Sequence, residues 1–465
     1  MHNNFFNKTN NLSLNALNFF FILLPFSILF GPFLADFSIS FSCILFLIYL
    51  LSNNKIHYLL NRYFFIFLFF CFYLIFISII SEKPYSSLES SLLYFRFGLF
   101  VIAIKFIIEI NFNILKYFTI SLIGAFVTAL IYGFIYYIGD FNKILFNATY
   151  SRIPLPFTDE FILGSYLARL FPIFFCLYLF FFNYKKKYIF FLSIITILTD
   201  VLIYLSGERT AFALISLSII LLIISSKKYL KIRIFTLFFS ILIIFFVTIQ
   251  STTVKDRMIT QTITGIYNQN DNSLNVNNKV LENKNPIVNI DPISGSDSLK
   301  NHNLKALDNS THIKKKFNFF SDTHTSLANS ALQIYFDNNI ITGIGPKLFR
   351  FYCKKEKYLS AYGINSCSTH PHHTYIQLLV ETGIIGILAI LIIFIYACYI
   401  IAINSYKVLF NKHSSLHPIH IGSYIAIIVT LCPIVPSGSF FNNWLSSIYF
   451  LPLIFLITKL DKTND

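Results

Sequence analysis

Apolar runs of about 18–25 residues recur along this chain, and no other feature constrains its fold as strongly. Wound as an α-helix, each run is long enough to cross the hydrocarbon core of a bilayer, and a helix satisfies its own backbone N–H and C=O groups there. The chain is 55% hydrophobic and only 12% charged, with 56 Phe and 28 Tyr, which is more apolar surface than a water-soluble domain of 465 residues needs. The expected fold class is therefore an all-α, polytopic integral membrane protein. The first 12 residues are Asn-rich and weakly basic, and the first run has no clear small-residue cleavage site, so it reads as a retained helix.

Twelve spans are expected, at about 13–33, 36–52, 63–81, 90–109, 113–138, 160–182, 187–204, 209–226, 233–250, 374–403, 419–437 and 443–460. The formal net charge of +15 would suggest nucleic acid in a soluble protein. Here much of it lies in short connections: Lys55 and Arg62; Lys185, Lys186 and Lys187; Lys227, Lys228, Lys231 and Arg233; Lys407 and Lys412; Lys459 and Lys462. All fall on one side if the N-terminus is cytoplasmic, so the positive-inside rule puts both termini in the cytoplasm. The chain divides into a first membrane part (1–250), a long outer connection (251–373) and a second membrane part (374–465). In a bacterial-type cell the connection would be periplasmic.

Within that connection, 265–316 is rich in Asn, Ser, Asp and Lys and reads as a flexible insertion. From about 317 the signals change. Leu327, Ala331, Ile334 and Tyr335 have helical spacing, and Gly343-Ile344-Gly345-Pro346 reads as a turn, so short helices on the outer membrane face are expected. Cys353 and Cys367 bracket the last part in an oxidising compartment, where a disulfide competes with two free thiols. Cys43, Cys71, Cys176, Cys398 and Cys432 fall in apolar runs and read as packing residues.

The connection ends in His370-Pro371-His372-His373-Thr374-Tyr375-Ile376-Gln377, where a histidine-dense segment meets an apolar helix. Thr374 followed by Gln377 has the form of a capping box, so the helix should begin right after His373. His372 and His373 then sit at a helix mouth, whose free N–H groups and partial positive charge favour an anion and a neutral imidazole. A neutral imidazole beside a bound phosphate suits a base acting on a phosphate-activated substrate. The plainer alternative is a pair of histidines at a membrane interface.

Charges inside or at the edge of spans are costly and hence candidate functional groups. Arg209, in Ser206-Gly207-Glu208-Arg209-Thr210-Ala211, lies at a second helix mouth, on the same face as His372 in this topology. Two helix mouths and a guanidinium suit a diphosphate, whereas a snorkelling interface arginine is the structural alternative. Arg96 is balanced between an anion ligand and an ion pair, and Arg169 favours an ion pair with Glu160, Asp200 or Glu208. Asp200 is expected to pair with a basic neighbour. His324, Arg257, Lys347 and Arg350 are further candidates for phosphate or sugar hydroxyls, each also readable as a solvated surface residue. The sequence carries no zinc spacing, no His-Glu-x-x-His and no phosphate-binding Gly-rich loop with Lys, so no metal or cofactor is expected.

Taken together, Ser206-Gly207-Glu208-Arg209-Thr210-Ala211, then Gly343-Ile344-Gly345-Pro346 with Phe349, then His-Pro-His-His-Thr-Tyr-Ile-Gln-Leu-Leu-Val-Glu-Thr-Gly from His370 to Gly383, resemble the O-antigen ligase and O-antigen polymerase superfamily. The layout matches too: about twelve spans and one large outer loop before the histidine helix, a GT-C-like architecture. The sharp motifs cover about 205–212 and 343–386. The resemblance aligns the family's functional histidine with His372 and its arginine with Arg209. It also sets His373 where the family commonly has Asn, and His324 where many members carry a second arginine, leaving His324, Arg257 or Arg350 as stand-ins.

What the resemblance implies is a glycosyltransferase of the bacterial inner membrane, working at the periplasmic face without metal or nucleotide. The donor would be a glycan on undecaprenyl diphosphate. The acceptor would be a lipid A–core sugar in a ligase, another lipid-linked glycan in a polymerase, or a side-chain hydroxyl in a protein O-oligosaccharyltransferase. His372 would be the catalytic base or a phosphate ligand, with Arg209, Arg96, His324 and Arg350 toward the diphosphate. From another class, a transporter or flippase of lipid-linked or anionic substrates explains intramembrane arginines, and predicts broken helices and internal repeats.

Overall fold

The computed structural model describes residues 2–139, 152–158, 160–182, 185–263, 322–362, 364–410 and 416–459. The whole of the expected flexible insertion at 265–316 lies outside the described residues. No strand occurs among the described residues.

Among the described residues, nine helices are long and apolar enough to cross a membrane: Leu12–Leu29, Pro32–Ser52, Arg62–Ile79, Pro84–Ile110, Ile114–Ile138, Leu163–Phe182, Lys186–Leu205, Tyr229–Gln250 and Thr374–Leu409. A multi-pass membrane protein follows from them. The other three expected stretches are also helices, but shorter: Arg209–Ser225, Pro418–Thr430 and Asn443–Ile457, of 17, 13 and 15 residues.

Burial sorts these helices into a centre and a rim. Leu163–Phe182 is the central helix, packed against Pro418–Thr430, Arg209–Ser225, Ile114–Ile138 and Lys186–Leu205. Its Phe171, Phe174 and Phe175 are fully enclosed. Helix association in lipid depends on close packing and not on escape from water, and small residues permit it. Gly422 illustrates this: a Cβ there would stand 2.7 Å from the carbonyl oxygen of Pro172. At the rim, Tyr229–Gln250 exposes Phe235, Phe238, Phe245 and Phe246. Apolar side chains can face lipid without penalty.

Arg233, grouped with the basic connections above, is fully buried. Its guanidinium holds Asp200 at 3.1 Å, and Ser240 donates to the same carboxylate at 2.9 Å, tying Lys186–Leu205 to Lys227–Gln250. Asp200 thus finds the basic partner expected of it. Arg233 does not count toward topology, because an arginine inside the packed bundle is held by its counter-ion and not by the water side.

Beyond the bundle, the helix Asp322–Phe336 packs through Leu327, Ala331 and Ile334 onto Ile344, Leu348, Phe349 and Tyr352, and onto Ile376 and Val380 of the histidine helix. Two further short helices, Phe349–Tyr352 and Glu356–Tyr362, complete this cap. Cys353 and Cys367 are joined in a disulfide, their Cα atoms 5.1 Å apart.

The helix from Thr374 is broken at Gly383, whose φ of 63° and ψ of −168° are not helical. Only the part after Gly383 is a continuous candidate span; Thr374–Thr382 is a short helix set before it. The break falls at Glu381-Thr382-Gly383, a polar step too short to interrupt the apolar residues on either side, which is why 374–403 read as one span. The carbonyls released at the break are occupied: Ile344 N–H donates to Val380 O at 3.0 Å, Gly345 N–H to Glu381 O at 2.9 Å, and the Tyr73 hydroxyl to Thr382 O at 2.6 Å. The Gly-x-Gly turn is therefore a backbone cap on a broken helix.

Candidate active site

The short helix begins after His373, as expected, but by a different device. His373 is itself the N-cap: its Nδ1 accepts the Ile376 N–H at 3.3 Å, and its Nε2 lies 2.9 Å from the Pro433 carbonyl. A ring with Nδ1 accepting and Nε2 donating is a neutral tautomer. Burial lowers the pKa of His373, opposed by the Pro433 contact. Thr374 and Gln377 are not a capping box. Thr374 Oγ1 lies 2.6 Å from Ser437 Oγ, while Gln377 donates to Glu381 at 2.9 Å and accepts the Phe440 N–H at 2.8 Å. Both side chains are drawn sideways into the 437–440 loop and cannot reach back to the helix end.

His372 sits just before this cap in a left-handed backbone conformation, φ 55°. That region costs a residue with a Cβ on the order of 1 kcal/mol, and such strain clusters at functional sites. Ser437 N–H donates to the His372 carbonyl at 2.9 Å and holds the turn. The His372 Nε2 is 3.3 Å from Ser368 Oγ. Its ring centroid lies 4.0 Å from that of His370 and 5.7 Å from that of His324. Burial, then the neighbouring His324, lowers the pKa of His372, and burial with His372 beside it pushes His370 down to about 3. The same surroundings favour the neutral form of all three imidazoles.

Arg209 occupies the first turn of Arg209–Ser225. The adjacent Glu208 is turned away from it, accepting the Gly164 N–H at 2.7 Å and the Ser165 N–H at 3.2 Å at the start of Leu163–Phe182. Among the described residues Arg209 forms no ion pair. It lies close enough to His324 to depress that imidazole's pKa, after burial and Arg152. Arg257, which donates to the Gly207 carbonyl at 2.8 Å, stands in the same field as Arg152 and Arg209. His324 therefore joins two sets of groups, the arginines 152, 209 and 257 on one side and the imidazoles 370 and 372 on the other. An anion entering between them would meet like-charged donors that repel one another in its absence, next to an imidazole free of its proton.

Of the residues singled out from sequence, His372, Arg209 and His324 meet in this cluster. Arg350 is near enough to the cluster to act electrostatically on His370, and on Lys347 as well. Arg96 is engaged elsewhere, in an ion pair with Asp36 at 2.5 Å. Arg169 donates to Ser165, and among the described residues it forms no ion pair. Sequence reasoning missed Arg152 and did not single out His370. Arg152 precedes Ile153-Pro154 on the connection leading into Leu163–Phe182, which the expected topology already put on the outer side. His370 was hidden because its role depends on the left-handed turn at His372.

No curated protein and no solved structure matches this chain. Residues 191–391 match the family model described as O-Antigen ligase, a stretch that takes in Arg209, His324, Arg350 and His372. Over that stretch, rather less than half of its length, the chain is similar to the O-antigen ligase family.

Proposed function

We propose that this protein is an O-antigen ligase-type glycosyltransferase of the bacterial inner membrane, with both termini cytoplasmic, twelve crossings and its histidine site on the periplasmic side. It moves a glycan from undecaprenyl diphosphate to a sugar hydroxyl of lipid A–core. The observation that carries this reading is the shared proximity of Arg209 and His372 to His324. Arg209, with Arg152 and Arg257 behind it, binds the diphosphate and stabilises the charge it gains on leaving. The His372 imidazole, neutral and half-buried, takes the proton from the acceptor hydroxyl. The acceptor oxygen forms the new bond to the anomeric carbon as the bond to the diphosphate oxygen breaks, the electron pair leaving with the diphosphate. One displacement inverts the anomeric centre, and the protein's own cations serve where a metal would otherwise neutralise charge.

A second reading is a flippase or transporter of the same lipid-linked substrates. The break at Gly383 favours it, since transporters use broken helices to expose backbone carbonyls to ions. Here those carbonyls accept from Ile344, Gly345 and Tyr73, which argues for a rigid support rather than an ion site. The test is transfer of labelled lipid-linked glycan by the purified full chain, without nucleotide or ion gradient. Glycan appearing on the acceptor with release of polyprenyl diphosphate supports the transferase. Movement of intact lipid-linked glycan across a proteoliposome, with no transfer, overturns it. In a strain lacking the protein, lipid-linked polymer accumulating beside bare lipid A–core identifies a ligase. A single repeat on the core identifies a polymerase, and loss of glycan from protein alone a protein O-oligosaccharyltransferase.

A further inference from the structure

At the end of the bundle away from His372 there is an open cavity of about 560 Å³, lined by Arg62, Lys105, Glu109, His420 and Lys459 among others. Its distance from the histidine site follows from the helices it shares. Arg62 opens the helix whose Tyr73, three turns on, reaches Thr382, and Lys459 follows the helix whose Tyr449 reaches Thr374. The cavity is the mouth between four helix ends: the starts of Arg62–Ile79 and Pro418–Thr430, and the ends of Phe95–Ile110 and Asn443–Ile457.

Its charge is unbalanced. Lys105 and Glu109 satisfy each other at 2.7 Å, which leaves Arg62 and Lys459 without a carboxylate among the described residues. Arg62 is held in place by donating to the Tyr63 hydroxyl at 2.7 Å, and Asn61 caps the helix behind it by accepting the Tyr63 N–H at 2.9 Å. Beside the mouth, Tyr63 and Ile66 are exposed on the bundle's outer face. A charged, open mouth thus passes directly into an apolar wall on the bundle's outer face. The same end carries the basic turns, for Lys55 lies over the Phe106 ring and Phe180, just before Lys185–Lys187, packs on His417.

We infer that this mouth is a binding site for the phosphodiester headgroup of an anionic glycerophospholipid, held by Arg62 and Lys459, with the acyl chains along the face of Arg62–Ile79. Pockets of this form, basic and set between helix ends on the positively charged side of a membrane protein, suit anionic headgroups. The site is separate from the transfer chemistry and stands whether or not that reading holds.

Native mass spectrometry of the full chain in detergent tests it, after delipidation and titration with phosphatidylglycerol or phosphatidylcholine. One equivalent of phosphatidylglycerol should bind at least about tenfold more tightly than phosphatidylcholine, the preference expected from two cations. The double variant R62A/K459A should bring the two lipids to near parity, and R62K/K459R should keep the preference. Equal affinity for the two lipids in the unsubstituted protein overturns the proposal, even if the double variant does not fold. So does an undiminished preference in a folded R62A/K459A. Displacement of phosphatidylglycerol by millimolar inorganic phosphate would mean a site for a free anion rather than for lipid, and would overturn it too.

Discussion

Gly343 lies directly on the backbone at Gly383, and each adopts a positive φ, 69° and 63°. A Cβ on Gly343 would come 2.7 Å from the Gly383 nitrogen, and one on Gly383 would strike the Ile341 carbonyl. Two glycines 40 residues apart in sequence thus allow the cap to close over the helix break.

Replacing either with Ala should be strongly destabilising. The left-handed conformation alone costs a residue with a Cβ about 1 kcal/mol, and the backbone clash adds to it because neither partner is a flexible side chain. We expect Gly343→Ala and Gly383→Ala each to lose about 2–4 kcal/mol. Gly438→Ala, whose new Cβ would meet nothing nearer than 3.6 Å, should change little. Thermal unfolding in a single detergent, followed by loss of helicity and by tryptic release of the 322–362 region, checks the order. Equal stability of all three would mean that the contact between 343 and 383 opens readily.

His372 can be removed without disturbing its turn by choosing Asn, which tolerates the left-handed region. In the proposed mechanism His372→Asn should lower glycan transfer by about 10²- to 10⁴-fold with donor binding nearly unchanged, as for loss of a general base. Arg209→Gln should weaken donor binding as well as turnover, since a diphosphate ligand acts in both states. Steady-state transfer and equilibrium binding of a lipid-linked glycan, measured on both variants, separate the two effects. A His372→Asn protein that binds donor poorly and turns over normally once saturated would make His372 a phosphate ligand instead.

The pH dependence has a definite sign. His372 has its folded pKa below the ordinary histidine value of 6.5, because burial and His324 disfavour the charged ring. A base of this kind is active while deprotonated, so transfer should be flat near neutrality and fall only below pH 6.5. His324→Ala removes one cause of the depression and part of the cover, so the acid limb should move upward toward 6.5. Stability follows the same groups. His324, His370, His372 and His373 are all depressed when folded, so the unfolded chain takes up more protons below 6.5. Stability is therefore fully present above 6.5 and is lost as pH falls through each folded value. A transfer rate that rose on acidification would exclude a neutral His372 as the working form.

Much of this was legible in the sequence because membrane helices are specified by composition over long windows. The twelve helical stretches fall close to where their apolar runs lie, and Arg209 and His372 stand out as polar residues at apolar borders, whereas His324 is a loop candidate placed only by the resemblance. The misreadings share a cause: they concern groups whose partners are distant in sequence. Arg233 looked like part of a lysine-rich turn, and only Asp200, 33 residues earlier, makes it an interior ion pair. Thr374 and Gln377 matched a local capping pattern, yet Ser437, Ser439 and Phe440 claim their side chains. Gly383 carries the break beside only two polar residues, Glu381 and Thr382, so hydropathy averaged over a long window passes over it. Arg152 joins the cluster through tertiary folding alone, and His370 through the left-handed turn at His372.

The disulfide between Cys353 and Cys367 closes a loop of 14 residues immediately before the histidine turn. In the chain-entropy account a loop of that size stabilises by about 3 kcal/mol, through restriction of the unfolded segment. The bridged segment leads straight into Ser368, whose hydroxyl is 3.3 Å from His372 Nε2. It is also anchored at Cys353, which is wholly buried in the small core formed with Leu348, Phe349 and Tyr352. Breaking the bridge should therefore loosen the approach to His372 before it unfolds the bundle, since the bundle's own core contains neither cysteine. Cys353→Ser and Cys367→Ser, singly and together, should lower transfer and raise exchange of the 354–372 amides with deuterium, while the helices packed on Leu163–Phe182 keep their protection. The double variant should match the singles, because one bond is lost in each. Exchange rising throughout the bundle would mean that the bridge supports the whole fold and not the histidine turn alone.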